Sequence, residues 1–573
     1  MPFVSKDRKE YPSIYEFFHT KMRTIFFIVT FFAFVVLGKV FGQTPVPQII
    51  PLPVKMEILP GSFQISANTA IYYNNKHPNL LKHATYLSTA IQSISGIHPA
   101  IVTNLEVNRI RLLIGQSTQI GAEGYHLTID PSGISIIANT DKGIFYGIQT
   151  LLQALPGIRT NQKLIVKNLK ITDYPRFGWR GMMLDVSRHF FSTVAIKNYI
   201  DLMAMYKVNV FHWHLTDDEG WRLEIKKYPK LTQIGAWRKE VRGSVFYKKN
   251  QVLNQADTFT YGGYYTQQQA KEIVAYASER NITVIPEIEM PGHSQAVIAA
   301  YPQLSCSGQP QQVRTSMGVL SGAQANYCAG KEESFTFLED VMKEVIKIFP
   351  APYIHIGGDE VDKTTWKNCT LCQQRMKNES LKDEHELQSY FISRMGKFLK
   401  ANNRQLIGWD EILEGGLPND AIVMSWRGEK GGIAASKLNH YVVMTPVKPL
   451  YFNRYQADTL SYQQPLAARF SINTLKNVYD YEPIPKELSI SSRPYVLGSQ
   501  GCLWTEFIPS VHQLEQMTFP RMIALSEVMW SPVKLKNWED FSKRLDGHLN
   551  RLGEAGVNFF SAEINNPLVL AKP

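Results

Sequence analysis

Two adjacent acids, Asp359 and Glu360, close the segment Tyr353-Ile354-His355-Ile356-Gly357-Gly358-Asp359-Glu360. Neighbouring carboxylates repel each other, so each titrates according to the other and to its burial. Such a pair can keep one group protonated while the other stays ionised, which acid–base catalysis requires. Glycines at a strand end let the backbone bend and let a ligand approach closely. The four residues before them alternate apolar and aromatic, as a buried strand does. An Asp-Glu pair that caps the next helix is the plainer explanation. What gathers around the pair decides between the two.

The elements that must position these acids are visible on either side. From about Pro175 onward eight apolar runs read as strands: Gly181–Val186, Val208–His214, Thr283–Ile288, Tyr353–Ile356, Gln405–Gly408, Ala421–Ser425, Tyr441–Thr445 and Tyr495–Gly501. Helical patterns lie between them at Val194–Tyr206, Thr266–Arg280, Lys331–Ile348, Glu384–Ala401 and Gln513–Ser526. This alternation predicts an α/β fold, a (β/α)8 TIM barrel over residues 174–560, with a long, weakly patterned insertion at 447–494. Residues 43–173 mix short strands (Thr69–Tyr73, Arg109–Ile114, Tyr125–Ile129, Ile134–Ala138) with helices near Leu80–Ile94 and Lys142–Leu155. They predict a small α+β domain with an antiparallel sheet and a scaffolding role.

Sites in such barrels sit where the strands end, on one face. The first four strand ends supply Asp185-Val186-Ser187-Arg188-His189, His212-Trp213-His214-Leu215-Thr216-Asp217-Asp218, Glu287 with Glu289 and Pro291-Gly292-His293, and Asp359-Glu360. The later ones supply Trp409-Asp410-Glu411, Trp426-Arg427, Tyr451 with Asn453 and Arg454, and Trp504-Thr505-Glu506. A single Trp is more often core than site. Three of them at strand ends beside acids form the kind of wall that packs on a sugar ring.

Together Gly181–Phe190, Phe211–Trp221, Pro286–His293, His355–Glu360, Gly408–Glu411 and Leu503–Glu506 resemble the family 20 glycoside hydrolases, the β-N-acetylhexosaminidases. The stretch starting Ile49-Ile50-Pro51-Leu52-Pro53 is similar to that family's N-terminal domain. The resemblance implies an exo-acting enzyme that removes terminal non-reducing β-linked N-acetylglucosamine or N-acetylgalactosamine with retention. The mechanism implied is substrate-assisted, unlike that of most retaining glycosidases. The 2-acetamido carbonyl attacks its own anomeric carbon to give an oxazolinium, so no carboxylate nucleophile is needed across the ring. The resemblance further implies Glu360 as general acid and then base, with a raised resting pKa. Asp359 would stay ionised and orient the acetamide N–H, and Tyr451 would donate to the acetamide oxygen. Trp409, Trp426 and Trp504 would wall the methyl group. Arg188 and Glu506 would hold the 3- and 4-hydroxyls, with Asp217 and His293 tuning Glu360 from behind.

One position departs from the common pattern. Where many members carry Tyr-x-Asp, this chain has Tyr451-Phe452-Asn453-Arg454. The change removes a negative charge and adds a positive one where the sugar 6-hydroxyl is expected. Arg suits bidentate oxyanion binding, and members that accept anionic substrates carry a similar Asn-Arg. Activity on 6-sulfated N-acetylglucosamine is therefore one expectation; an ordinary 6-hydroxyl bonded by Asn453 is the plainer one.

Two rival readings compete with this enzyme. A metal-dependent hydrolase could use His212-x-His214, but strands five to eight bring no histidine to their ends. A catalytically silent carbohydrate-binding protein on the same scaffold fits less well with both acids present. No metal or cofactor is expected.

The composition sets the outer bounds. A chain of 573 residues with 44% hydrophobic and 19% charged residues is globular, with two or three domains. Its net charge of +11 is scattered rather than gathered into a stripe, which argues against nucleic acid as a partner. A glycan with terminal N-acetylhexosamine is the expected partner, and a homodimer is compatible. Residues 1–42 read as an upstream extension and a secretory signal: Met22-Arg23, an apolar run from Ile25 to Leu37, and Val40-Phe41-Gly42 before a cut at Gln43. The run is short for a stable membrane span. Export to the periplasm, surface or medium is expected, with an uncleaved anchor as the alternative. Five cysteines in an exported chain permit two disulfides with one left over. Cys306 and Cys328 flank a polar loop that a disulfide could staple, Cys369 and Cys372 form a C-x-x-C, and Cys502 reads as a buried thiol. A four-cysteine zinc site is the less favoured option.

Overall fold

The computed structural model describes residues 47–104, 109–156, 164–241, 258–315, 325–457 and 468–561. The expected signal, residues 1–42, lies outside them. Eight parallel strands close into a barrel: β1 (Trp179–Asp185), β2 (Val210–His214), β3 (Thr283–Met290), β4 (Tyr353–Gly357), β5 (Gln405–Trp409), β6 (Ile422–Ser425), β7 (Val442–Met444) and β8 (Val496–Leu503). β8 pairs with β1 to complete the ring. The strands are short, rich in apolar residues and almost wholly buried, as expected of strands covered on both faces. The register sets Asp185 opposite His214, His214 opposite Glu287, and Glu287 opposite His355. Four ionisable groups from four strands thus stand in one row.

The helices between the strands begin where a polar side chain can take the first free N–H groups. Ser192 caps Thr193–Met205, Thr266 and Gln269 form a capping box before Gln267–Ser278, and Asp383 caps Glu384–Ala401. The helix expected over Gln513–Ser526 is instead two, Val511–Thr518 and Arg521–Trp530. Pro520 stands at the break and has no N–H with which to continue the ladder. Arg521 then turns its guanidinium onto the carbonyls of Phe452, Met517 and Asn473, at 2.5, 2.6 and 3.0 Å. No helix among the described residues is long and apolar enough to cross a membrane.

A seven-stranded sheet precedes the barrel. One side is antiparallel, as expected, and is formed by Lys55–Ile65, Leu164–Asp173, Tyr125–Asp130 and Gly133–Ala138. The other side continues in parallel through Arg109–Ile114, Ala70–Tyr73 and Ala100–Val102, so the sheet as a whole is mixed. It docks at the base of the barrel, where the strands begin. Lys207, fully buried just before β2, places Nζ 2.9 Å from Asp173 Oδ2 and 2.9 Å from the Tyr125 hydroxyl. Trp530 Nε1 donates to the same carboxylate at 3.0 Å. Burial lowers the Lys207 pKa and Asp173 opposes that shift.

Candidate active site

β4 delivers the two acids through a turn that only glycine allows. Gly357 and Gly358 have φ of +69° and +89°, in the left-handed region. A Cβ on Gly357 would stand 1.7 Å from Glu289 Oε2, and one on Gly358 would stand 2.5 Å from Ile412 Cγ2. Glu360 itself sits at φ +46°. A non-glycine residue in that region is uncommon and strained. The turn buries Asp359, whose Oδ1 has no hydrogen-bond partner among the described residues, and leaves the Glu360 side chain 58% exposed.

His293 joins the acids. Its Nε2 lies 3.5 Å from both Asp359 Oδ2 and Glu360 Oε2, and its Nδ1 lies 3.1 Å from Asp217 Oδ1. Burial alone would lower the His293 pKa, but Asp217 and Asp359 outweigh it and hold the ring protonated well above its ordinary value. The expected raised resting pKa of Glu360 is corrected by this geometry. The hydrogen bond from His293 exceeds the effect of burial and holds Glu360 below the ordinary carboxylate value.

Arg188, just beyond β1, is enclosed by acids. Its guanidinium reaches Asp217 at 2.7 Å, Glu219 at 3.0 Å and Asp185 at 3.4 Å, and it lies 5.1 Å over the Trp504 ring. Burial opposes its charge, yet Asp217, Asp185 and Glu219 carry its pKa well above the usual range. Asp217 connects Arg188 and His293, so the β1 and β3 ends are one electrostatic unit.

Behind the acids, Glu287 is a buried hub. It pairs with His214, lies 3.1 Å from His212 Nε2 and 2.8 Å from His355 Nδ1, and accepts from Trp409 Nε1 at 2.8 Å. His212, Glu287 and His355 lie close enough together to hold a cation, and Glu287 already faces both rings. Glu289 is the opposite case, with neither carboxyl oxygen hydrogen-bonded. Burial first, then Asp359 and Glu287, push its pKa well above the ordinary value, so it stands as a neutral acid.

The later strands build a wall of four rings. Trp409 and Trp504 have centroids 5.8 Å apart, Trp504 and Tyr451 6.0 Å, and Tyr451 stacks on Trp426 at 6.1 Å and 16°. Trp426 Nε1 donates to Glu411 at 2.9 Å, and burial with Asp359 nearby pushes Glu411 up to about 8. Tyr451 is positioned by a bridge to Cys502 of β8. Two residues on, Asn453 is buried and its Nδ2 lies 3.5 Å from Glu506 Oε2. Burial raises the Glu506 pKa, with Arg188 and Arg454 opposing.

The structure therefore gathers Arg188, Asp217, His293, Asp359, Glu360, Trp409, Trp426, Tyr451, Asn453, Arg454, Trp504 and Glu506 at one mouth of the barrel. Sequence reasoning passed over Glu219, which holds Arg188, and gave no role to Glu287, Glu289 or Glu411. The run Asp217-Asp218-Glu219 was a signal for the first; strand register, which sequence spacing does not carry, was needed for the others. A mouth with a neutral acid, an exposed carboxylate, a protonated imidazole and an apolar wall can protonate a leaving group and hold a neutral polar ring.

Known proteins share both sequence and fold with this chain. The family models for the glycosyl hydrolase family 20 catalytic domain and domain 2 match residues 177–533 and 46–174. A beta-hexosaminidase of Porphyromonas gingivalis is 45% identical over 519 residues, covering 89% of this chain and 64% of its own length. One from Vibrio furnissii is 33% identical over 487 residues, covering 83% of this chain and 76% of its own. The chain thus spans just under two thirds of the first of these relatives. Among solved structures, the GH20 exo beta-N-acetylglucosaminidase of Vibrio harveyi in complex with N-acetylglucosamine has a TM-score of 0.79 at 31% identity, covering 90% of this chain and 79% of that one. The beta-N-acetylhexosaminidase of Bacteroides fragilis has a TM-score of 0.75 at 31% identity, covering 89% and 96%.

Proposed function

The chain belongs to glycosyl hydrolase family 20, and from this we propose that it is an exo-acting β-N-acetylhexosaminidase. It releases terminal non-reducing β-linked N-acetylglucosamine or N-acetylgalactosamine by a retaining, substrate-assisted route. The observation that carries this reading is Asp359 Oδ1, a buried carboxylate oxygen with no hydrogen-bond partner among the described residues. It lies close enough to Tyr451 and Glu411 to influence their titration. A buried acceptor left open costs free energy unless a ligand donor completes it. An acetamide N–H supplies that donor, and the rings of Trp409, Trp426, Tyr451 and Trp504 supply the apolar pocket for its methyl.

In the reaction, Asp359 orients the acetamide so that its carbonyl oxygen attacks the anomeric carbon. Glu360 gives its proton to the departing oxygen and then takes one from the water that opens the oxazolinium. Adjacent acids suit this division because neither has to act from across the ring. In the free chain Glu360 is exposed and held low by His293. A sugar laid over it strips its water, which raises a carboxyl pKa and readies it as an acid only when substrate is present. Arg188 and Glu506 hold the ring hydroxyls.

Two finer readings follow. Asn453 and Arg454 admit a 6-sulfate beside Glu506, supported by the cationic side chain and the neutral amide at that corner. The apolar run in residues 25–37 supports export. The core proposal is tested with aryl glycosides. Wild type should cleave the β-N-acetylglucosaminide and not the β-glucoside, which lacks the acetamide. Glu360→Gln should lose about 10²–10⁴-fold in turnover while still binding. Equal turnover of both glycosides by wild type would refute the mechanism.

A further inference from the structure

We propose that Cys306, Cys328, Cys369 and Cys372 form a tetrathiolate site for one Zn2+ ion, outside the sugar site. The expected disulfide between Cys306 and Cys328 is absent, because all five cysteines are free thiols. Four of them nevertheless converge. The Sγ atoms of Cys306 and Cys372 are 3.7 Å apart, those of Cys328 and Cys369 3.7 Å, and those of Cys328 and Cys372 3.6 Å. All four sulfurs lie within 4.8 Å of one another. A disulfide requires about 2.05 Å. Four thiolates around zinc at about 2.3 Å define a tetrahedron with edges of about 3.8 Å. The observed spacings fit the second geometry.

Three segments bring the sulfurs together. An antiparallel bridge between Ser305 and Tyr327, with Cys328 N–H donating to Leu304 O at 2.8 Å, holds the segments of Cys306 and Cys328 against each other. The helix Thr370–Asn378 begins between the other two, with Cys369 at its cap and Cys372 in its first turn. Gly330 permits the approach: a Cβ there would stand 2.3 Å from Leu371 C and 2.5 Å from Cys372 N. Its N–H donates to Cys328 Sγ, the kind of contact that tunes a metal ligand from outside. Cys328, Cys369 and Cys372 are buried and Cys306 is half-buried. An all-sulfur tetrahedral donor set selects zinc over hard cations.

Binding exchanges the four thiol protons for the ion and leaves a net charge of 2−. Lys331 supplies a cation nearby, its Nζ 2.7 Å from the carbonyl of Ser305. The ion braces the loop that backs the acid turn. On that loop Tyr327 N–H donates to Pro291 O at 3.0 Å, and Asn326 Nδ2 donates to Asp362 O at 2.7 Å.

The purified full-length protein, prepared without chelators and supplied with Zn2+, should carry one zinc per chain by elemental mass spectrometry. An organomercurial should release it as four thiols are consumed. Cobalt substitution should give the strong visible d–d bands and near-ultraviolet thiolate-to-cobalt charge-transfer band of a tetrahedral thiolate site. Cys369→Ser with Cys372→Ser should abolish both. Should that variant not fold, the wild-type stoichiometry and cobalt spectrum decide alone. Less than a tenth of an equivalent of zinc, with the four cysteines recovered as two disulfides or as metal-free thiols, overturns the site. Cobalt binding without the charge-transfer band does so too.

Discussion

His293 Nε2 stands 3.5 Å from Glu360 Oε2, and this contact rather than burial sets the carboxyl in the substrate-free chain. The proposed acid is thus stored in its ionised form. The imidazole that stores it is kept charged by Asp217 and Asp359.

Removing that charge moves the pH profile. For an enzyme that needs Glu360 protonated, kcat/KM falls as pH rises through the free-enzyme pKa of Glu360. His293→Gln takes away the group that lowers this pKa, so the alkaline limb should shift to higher pH. A pH–rate profile of both proteins on an aryl N-acetylglucosaminide checks it. A lower kcat with an unmoved limb would assign His293 to packing only.

Gly357 and Glu289 are coupled through space. Gly357→Ala places a methyl 1.7 Å from Glu289 Oε2 at a φ of +69°. Backbone strain alone costs about 1–3 kcal/mol there, and the overlap adds to it. Urea unfolding should show that loss. The double variant with Glu289→Ala should be more stable than Gly357→Ala alone, because the obstructing oxygen is gone. A strictly additive double variant would contradict the coupling.

Arg454 decides the sulfate reading. Arg454→Ala should lower kcat/KM on a 6-sulfated aryl N-acetylglucosaminide by about 10-fold or more, the worth of one charge-assisted contact, and change the unsulfated substrate little. Parallel losses on both substrates would end that reading and leave Asn453 with an ordinary 6-hydroxyl.

Stability should decline on the alkaline side. Burial pushes Glu219 up to about 7 and Glu411 up to about 8, and Glu287 carries His214 to about 10 against its burial. Each holds a proton in the folded chain that the unfolded chain releases earlier, near 4.5 for the two acids and 6.5 for the histidine. Between about pH 6.5 and 10 the folded state therefore holds more of these protons, and stability falls as pH rises. Below 6.5, His83, His189 and His212, lowered by burial to about 4, act in the opposite sense. Glu332, held near 2 by Arg394 and Arg375, does the same and loses its contribution as pH drops below 4.5. Thermal unfolding should give a higher Tm at pH 7 than at pH 9. Glu411→Gln should flatten the decline up to about pH 8 and leave the remainder, due to His214, in place.

The sequence made the barrel legible because its strands are buried on both faces and so appear as short runs rich in apolar residues. Lys55–Ile65 escaped notice for the converse reason: it is an edge strand, mostly exposed, with a register shift between Ile58 and Ser62. Pro520 was a printed break within an amphipathic pattern that otherwise runs on. At the site, residue types and order revealed the acids and the wall. The titration of Glu360 was not legible, since it depends on a histidine from another strand end. Nor was the meeting of Cys306 and Cys328 with the C-x-x-C, which requires a loop and a helix to fold against each other.

The joint of Lys207 with Asp173 limits how this chain can be divided. The ammonium belongs to the barrel segment and the carboxylate to the preceding sheet, and both are fully buried. Removing the carboxylate in place would leave a lone cation in an apolar floor, at a cost of about 3–5 kcal/mol for the broken pair. The small domain is thus a permanent plug rather than an accessory. A gene rearrangement that inherited the barrel alone would open that floor to water and lose the contacts of Lys207 with Asp173 and Tyr125.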